Sequence, residues 1–416
     1  MNDHERDLLN RRRRFLGGVG ALGALGFATL SRPLIAGTTE SHTIELPFAN
    51  GMRTLTSSFP QKRDVILLRT RPPLLETPYE VFDGGVLTPN DKFFVRWHLA
   101  NIPTSIDPAT YRLGIHGCVR APVNLKLNDL LTKFDRYEIT AVAQCAGNSR
   151  GLFNPRVPGA QWAHGAMGNA RWTGVRLKDL LDYAGVRSNA VQVRFKGLDT
   201  GVIPQTPQLM KSLDIDHARD GEVMVAYAMN GKPLPYLNGY PIRLIVPGWF
   251  ATYWIKMLAD IEVLDKSDDR FWTAKAYRTP DTPHSSVHPG EQGFKTVPVS
   301  TMVPRSFITN VHDGATLPAG RPTSVRGIAF GGLHGLKRVA FSDDGGRTWR
   351  ETQLGHDHGK YSFRQWHATL SPSTPGNRVL MVRAIDTAGR MQPLEPNWNS
   401  SGFLRNVVEA VTVHLA

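Results

Sequence analysis

The chain has 416 residues, 41% of them hydrophobic and 20% charged, with only two cysteines. That length suits more than one domain, and the apolar share is enough for ordinary cores, which excludes a disordered chain and a disulfide-dense secreted scaffold. A formal charge of +13 comes without a basic helix interleaved with aromatics, a zinc finger or an RNA-binding signature, so no nucleic-acid partner is expected; a small anion or an acidic protein suits it better, because a positive field speeds their arrival.

Residues 1–36 read as an address. Four arginines, Arg11 to Arg14, precede a Gly- and Ala-rich apolar stretch from Phe15 to Leu30 that is short for a permanent bilayer anchor. Arg12-Arg13 followed by Phe15-Leu16 has the twin-arginine pattern; a basic amphipathic anchor is the alternative. The pattern predicts export of a folded protein to the periplasm, with no membrane attachment once the signal is removed. It leaves a charge of +10 on the rest of the chain.

Residues 37–265 mix strand and helix signals. "YEITAVAQC" and "NAVQVRF" read as strands, the second with Val191, Val193 and Phe195 on one face. Between them, Leu177, Leu180, Leu181 and Ala184 recur at helical spacing and Gly185 is a candidate C-cap. "YPIRLIVPGW" predicts a further buried strand that carries Arg243. No Gly-rich dinucleotide or phosphate loop follows a strand. Residues 266–305 are rich in proline and serine and read as a linker laid over the surface. From 306 to 416, short alternating segments with Asp-Gly and Gly-Gly turns predict an Ig-like β-sandwich. The fold class expected is therefore α+β, a mixed α/β domain followed by a β-sandwich.

Cys145 ends the apolar run of "ITAVAQCAGNSRG", next to small residues and five positions before Arg150. Three readings compete: half of a bridge to Cys118, a buried packing residue, or a thiolate that does chemistry, which nearby cations would favour. Arg96 and His98, in "FFVRWHL", lie two apart and so share one strand face.

Taken in order, "FFVRWHL", "QCAGNSRG", "GNARWTGVRLKDLL", "FKGLD", "LNGYPIRLIVPG", "WIKML", "AYR" and "NWNSSGFLRN" resemble the sulfite oxidase family of mononuclear molybdenum enzymes over about residues 60–416. The likeness is strongest to the bacterial periplasmic sulfite dehydrogenases. It implies a molybdenum-molybdopterin cofactor with a single pyranopterin and Cys145 as the metal ligand. It implies that Arg96, Arg150 and Arg405 surround the substrate anion, with Tyr277 and Trp162 completing the pocket. Phe94, Arg96 and His98 are carried over as cofactor contacts, and so are Asp199, Arg243 and Lys256. Asn238 is carried over as a cofactor contact too, although it stands where vertebrate relatives have a histidine in that role.

The reaction implied is oxygen-atom transfer from molybdenum to sulfite, followed by two one-electron reoxidations. A lowered pKa is expected for Tyr277, because arginines surround it. No Cys-x-x-Cys-His occurs, so no haem is expected on this chain, and a separate c-type cytochrome is the expected acceptor. The sandwich resembles the family's dimerisation domain, which implies a homodimer or a heterodimer with a cytochrome subunit. The rival within the family is a sulfane dehydrogenase or another molybdenum oxidoreductase; sulfane types usually depart at the position of Arg150. The rivals outside it are a secreted cysteine hydrolase, with His98 or His164 as base to Cys145, and a pure binding protein.

Overall fold

The protein is described as a computed structural model over residues 43–45, 52–371 and 374–416, so the expected signal at 1–36 lies outside the described residues. No helix among the described residues is long and apolar enough to cross a membrane.

The first sheet is an antiparallel meander that runs from Thr43–Glu45 through Met52–Thr56, Val65–Arg69 and Leu74–Glu76 to Val95–Arg96. In the second, Leu258–Leu264 lies between Gln192–Gly197 and, in parallel pairing, Arg112–Gly117. The third ends on Tyr137–Gln144, paired along its whole length with Met167–Arg176 from Tyr137↔Gly174 to Gln144↔Met167. Its last four residues on the first of these strands, Ala141 to Gln144, are buried, as an apolar run covered on both faces requires. That delivers Cys145 to the interior.

The expected helix forms at Leu177–Ala184. Leu177, Leu180, Leu181 and Ala184 are buried, and Gly185 closes it with φ +70° while its N–H bonds back to Leu181 and Asp182. Other helices are short, Leu127–Thr132 and Ile215–Ala218, so the architecture is mostly sheet. The strand expected in "YPIRLIVPGW" is reduced to Arg243–Ile245, because Pro241 and Pro247 remove ladder donors on either side. The stretch 266–305, expected as a linker, carries one helical turn at Phe271–Lys275 and the antiparallel pair Arg278–Pro280 with Thr296–Pro298. Tyr277 sits between the two.

The C-terminal part, from Arg305 on, is a two-sheet sandwich, with Arg305–Ile308, Thr323–Phe330 and Arg364–Leu370 in one sheet and Ala410–Leu415, Gly376–Asp386 and Leu336–Ser342 in the other. Val325, Phe341, Trp366, Leu380 and Val382 fill the space between them. A further cluster joins the halves: Phe82, Val142 and Phe250 pack with Phe307, Phe330 and Phe363. The sheets of the N-terminal part and the sandwich thus share a core.

Trp366 is fully buried and its indole N–H donates to Phe307 O at 3.2 Å. Trp366→Ala should therefore cost about 3–5 kcal/mol, seen as a lower urea midpoint; an unchanged midpoint would mean that the sandwich core tolerates the cavity.

Candidate functional site

A cleft of about 680 Å³, measured to its open mouth, lies where the ends of the three sheets converge. Cys145 lines it from the end of Tyr137–Gln144, with its N–H bonded to Ala166 O at 2.9 Å and its carbonyl accepting from Asn148 N at 2.9 Å. Phe94, Arg96 and His98 line it from the edge of the meander, and Asp199, Arg243 and Lys256 from the opposite wall. Tyr277 closes it. The residues proposed as ligands and anchors are scattered over more than 130 positions of sequence, and the strand ends bring them to one place.

The cations here are held by neutral groups. Arg243 donates to Asn238 O (2.8 Å) and Trp254 O (3.2 Å) and lies over the Trp172 and Trp254 rings at 5.2 and 5.8 Å. Burial brings its pKa down to about 9. Lys256 donates to Arg96 O at 2.9 Å and is brought down to about 7, first by burial and then by Arg243. Asp199 is the one acidic side chain lining the cleft, and burial raises its pKa against the pull of Lys256 and Arg96.

His98 Nε2 and Tyr277 Oη form a hydrogen bond. Burial holds His98 well below its usual range, with Arg96 and Lys256 adding to the effect, so its imidazole is neutral near pH 7. The expectation of a lowered Tyr277 pKa is corrected: burial outweighs Arg96 and Arg150 and pushes the phenol up. Tyr277 stands at φ +54° and stacks on Phe403 with ring centroids 5.3 Å apart.

Arg150 lies at a second, shallower cleft that shares Arg96 and Tyr277 with the first. Its guanidinium donates to Ala160 O at 3.3 Å and Ser401 O at 3.2 Å. A Cβ added at Gly147 would come within 2.5 Å of that guanidinium, and one at Gly402 within 2.7 Å of its Nε, so a side chain at either position would push the guanidinium out of this place.

Of the carried-over residues, two lie off the cleft and a third lines it with its side chain already engaged. Arg405 does not reach the mouth: it pairs with Glu409, which also holds Arg305 at 3.3 Å. The network continues to Ser149 Oγ, which accepts from both Arg305 Nη atoms at 3.1 Å and contacts His164 Nδ1 at 2.8 Å. Trp162 lies behind the wall, fully buried, with its indole N–H unpartnered. Asn238 borders the cleft, but its side chain is taken by the protein, accepting from Lys62 Nζ at 2.6 Å and donating to Phe94 O at 3.0 Å.

Cys118 and Cys145 are both free, so the bridge between them is not formed. His98 turns to Tyr277 and His164 to Ser149, and neither is hydrogen-bonded to Cys145, which removes the base that a cysteine hydrolase needs. Spacing gave no sign of Lys62, whose ammonium also donates to Asn90 O and Phe93 O at 2.7 Å. Nor did it mark Lys211, which is 5.9 Å from the Tyr277 ring and donates to Trp272 O at 2.9 Å. Neither sits in a motif, and only the fold brings them here.

Residues 98–272 match the family described as Oxidoreductase molybdopterin binding domain, and residues 297–416 match the Mo-co oxidoreductase dimerisation domain. The mitochondrial sulfite oxidase of Rattus norvegicus is 33% identical over 86% of this chain and 67% of its own length. The sulfite oxidase of Gallus gallus is 32% identical over 79% of this chain and 73% of its own. The chain spans about two thirds of the mammalian relatives, 64% for that of Mus musculus. Among solved structures, the sulfane dehydrogenase SoxCD of Paracoccus pantotrophus superposes with a TM-score of 0.68 at 24% identity, covering 93% of this chain and 92% of that one; at that identity the likeness is one of fold.

Glu76 holds the turn that follows Trp162, accepting from Gly165 N at 2.7 Å and Ala163 N at 3.2 Å. Burial raises its pKa to about 7, against those two hydrogen bonds. A carboxyl raised in the folded state adds stability below its ordinary pKa and loses it as pH climbs through the raised one. Between about pH 4.5 and 7 that loss is of order 3 kcal/mol. Glu76→Gln should flatten the difference between urea midpoints measured at pH 5 and pH 8; an equally steep variant would place the titration elsewhere.

Proposed function

The chain belongs to the sulfite oxidase family of molybdenum oxidoreductases, and we propose that it oxidises sulfite to sulfate, passing the electrons singly to a separate c-type cytochrome. The observation that carries this reading is the meeting of one thiol, Cys145, with Arg96, Tyr277 and a set of buried cations in one cleft. The residues fit a molybdenum-pyranopterin. Arg243 Nε, Asp199 Oδ2 and His98 Nδ1 are buried without protein partners at the cleft, as groups awaiting a polar ligand would be. A soft thiolate suits a thiophilic metal, and Arg243 with Lys256 suits a phosphate. Cys145 would hold the metal, while Asp199, Arg243 and Lys256 would hold the pterin and its phosphate.

When bound, the cofactor supplies two-electron oxidation with oxygen-atom transfer. The chain supplies the field around it. Sulfite is an oxyanion carrying up to two negative charges, and the forked donors of Arg96 and Arg150 match its edges as a lysine could not. The reaction consumes one water and releases two protons and two electrons. Neutral His98 and neutral Tyr277 keep negative charge away from the incoming anion, and their shared hydrogen bond at Nε2 offers a route for a proton outward. Arg96 donates to its neighbour's carbonyl, Trp97 O, at 2.7 Å, which fixes the side chain while leaving other donors of its guanidinium for substrate.

Supporting the wider reading, the twin-arginine pattern favours a periplasmic enzyme, and the match of 297–416 favours a dimer formed through the sandwich. Elemental analysis together with sulfite-dependent reduction of cytochrome c tests the whole proposal. About one molybdenum per chain and rapid reduction are expected. Turnover of a sulfane sulfur in place of free sulfite would move the reading to the sulfane dehydrogenase type.

Two variants localise the chemistry. Cys145→Ser should abolish turnover without shifting the unfolding midpoint, and normal activity would remove the thiol as ligand. Arg96→Gln should raise KM for sulfite at least about tenfold, the scale of one lost charge-assisted hydrogen bond; an unchanged KM would take Arg96 out of the anion pocket.

A further inference from the structure

The shallower cleft at the mouth holds more charge than the reaction uses. Besides Arg96 and Arg150 it is lined by Arg53, Arg69 and Arg156, and no carboxylate lines it. Among the described residues none of these five arginines forms an ion pair with a carboxylate. Their recorded partners are neutral: Arg69 Nε donates to Pro72 O at 3.2 Å and Arg156 Nε to Gln161 Oε1 at 2.8 Å. Arg53 Nε is buried with no partner.

The backbone fixes this crowding. Leu74 is the register partner of both Arg69 and Arg96 in the meander, so the two arginines leave the same face of the sheet, their Cα atoms about 9–10 Å apart across two strand spacings. From the other side, the loop 156–161 is braced by Gln161, which donates to Val157 O at 2.9 Å and Gly159 O at 2.8 Å while accepting from Arg156. Arg150 is tied to the same loop through Ala160 O. The result is a crowd of like charges with no carboxylate among the residues that line the cleft. Burial and Arg96 together lower the pKa of Arg69, which is the mark of a cation that lacks an anion.

We propose that Arg53, Arg69 and Arg156 form an outer oxyanion subsite, distinct from the inner position at Arg96 and Arg150, that takes a divalent sulfur oxyanion on its way in and on its way out. The class of ligand follows from the donors: planar forks arranged around a concave floor select small tetrahedral or pyramidal oxyanions over monovalent halides. The inference rests on the sulfite-oxidising reading for its physiological ligand, since sulfite arrives and sulfate departs through the same mouth. An outer site that adjoins Arg96 and Arg150 along one cleft lets product step outward before it leaves and holds substrate within reach of the inner position.

Inorganic sulfate is the probe, titrated calorimetrically into the purified protein at low ionic strength. Two sulfate ions per chain are expected for the natural protein and one for R69Q/R156Q. Should the double variant fail to fold, Arg156→Gln alone, at an exposed position, and Arg69→Lys, which keeps the charge but loses the fork, should each weaken only the second ion. In steady state the double variant should lower kcat/KM for sulfite by about tenfold and flatten its dependence on salt, the signature of lost electrostatic capture. A single sulfate in the natural protein, or two retained in every variant, overturns the subsite. The two failures separate cleanly: a chain that binds two sulfates without oxidising sulfite keeps the subsite and loses the reaction, and a chain that oxidises sulfite but binds one sulfate does the reverse.

Discussion

A buried cation is costly, and the wall of the cleft is organised around carrying that cost for Arg243 and Lys256 with one carboxylate, Asp199, in the lining. Desolvating an ammonium or guanidinium costs several kcal/mol unless other groups replace the lost water. Here the replacements are carbonyl oxygens and aromatic faces: Asn238 O, Trp254 O and the rings of Trp172 and Trp254 for Arg243, and Arg96 O with the Trp97 ring for Lys256. These groups solvate charge without supplying a counter-charge, so Arg243 stays available to an anionic ligand, and such a ligand would restore the charge that burial takes from Lys256. A carboxylate at the same places would have made a more comfortable apoprotein and a poorer cradle.

The anion side follows the same logic through the backbone. Ser149 adopts φ +67°, turning the chain so that Arg150 points toward the mouth and Ser149 Oγ points away from it toward Arg305 and His164. Gly147 and Gly402 leave room for the guanidinium between two segments far apart in sequence. Strain of this kind persists only where neighbours hold it in place. The neighbours here include Arg305 and Glu409, both from the C-terminal sandwich part.

What the sequence disclosed, and what it hid, divides along physical lines. Local periodicity revealed Leu177–Ala184 with its Gly185 cap, the strand leading to Cys145 and the alternating strands of the sandwich, because each depends on residues a few positions apart. The ordered motifs placed Cys145, Arg96, His98, Asp199, Arg243, Lys256 and Tyr277, and all seven line one cleft. The motifs said less about where side chains turn. Arg405 and Trp162 occupy family positions, yet one is drawn to Glu409 and the other packs behind the wall. Tyr277 was expected to titrate low from the charges around it, but burial, which no motif encodes, outweighs them. Lys62 and Lys211 stayed invisible for the same reason: a lone lysine in a polar segment looks like any solvated one until the fold encloses it.

The shared apolar cluster at the junction, with Phe250 and Val142 against Phe307 and Phe363, has a consequence for how such a chain can change over time. Arg305, two residues before Phe307, fastens the loop that presents Arg150. The sandwich therefore does not behave as an interchangeable module beside an independent enzyme. Replacing it with a foreign sandwich would require the newcomer to match an aromatic surface and supply a guanidinium at one fixed point. Substitutions on the two sides of that seam are bound to be accepted or rejected together, and the chain inherits its two halves as one piece.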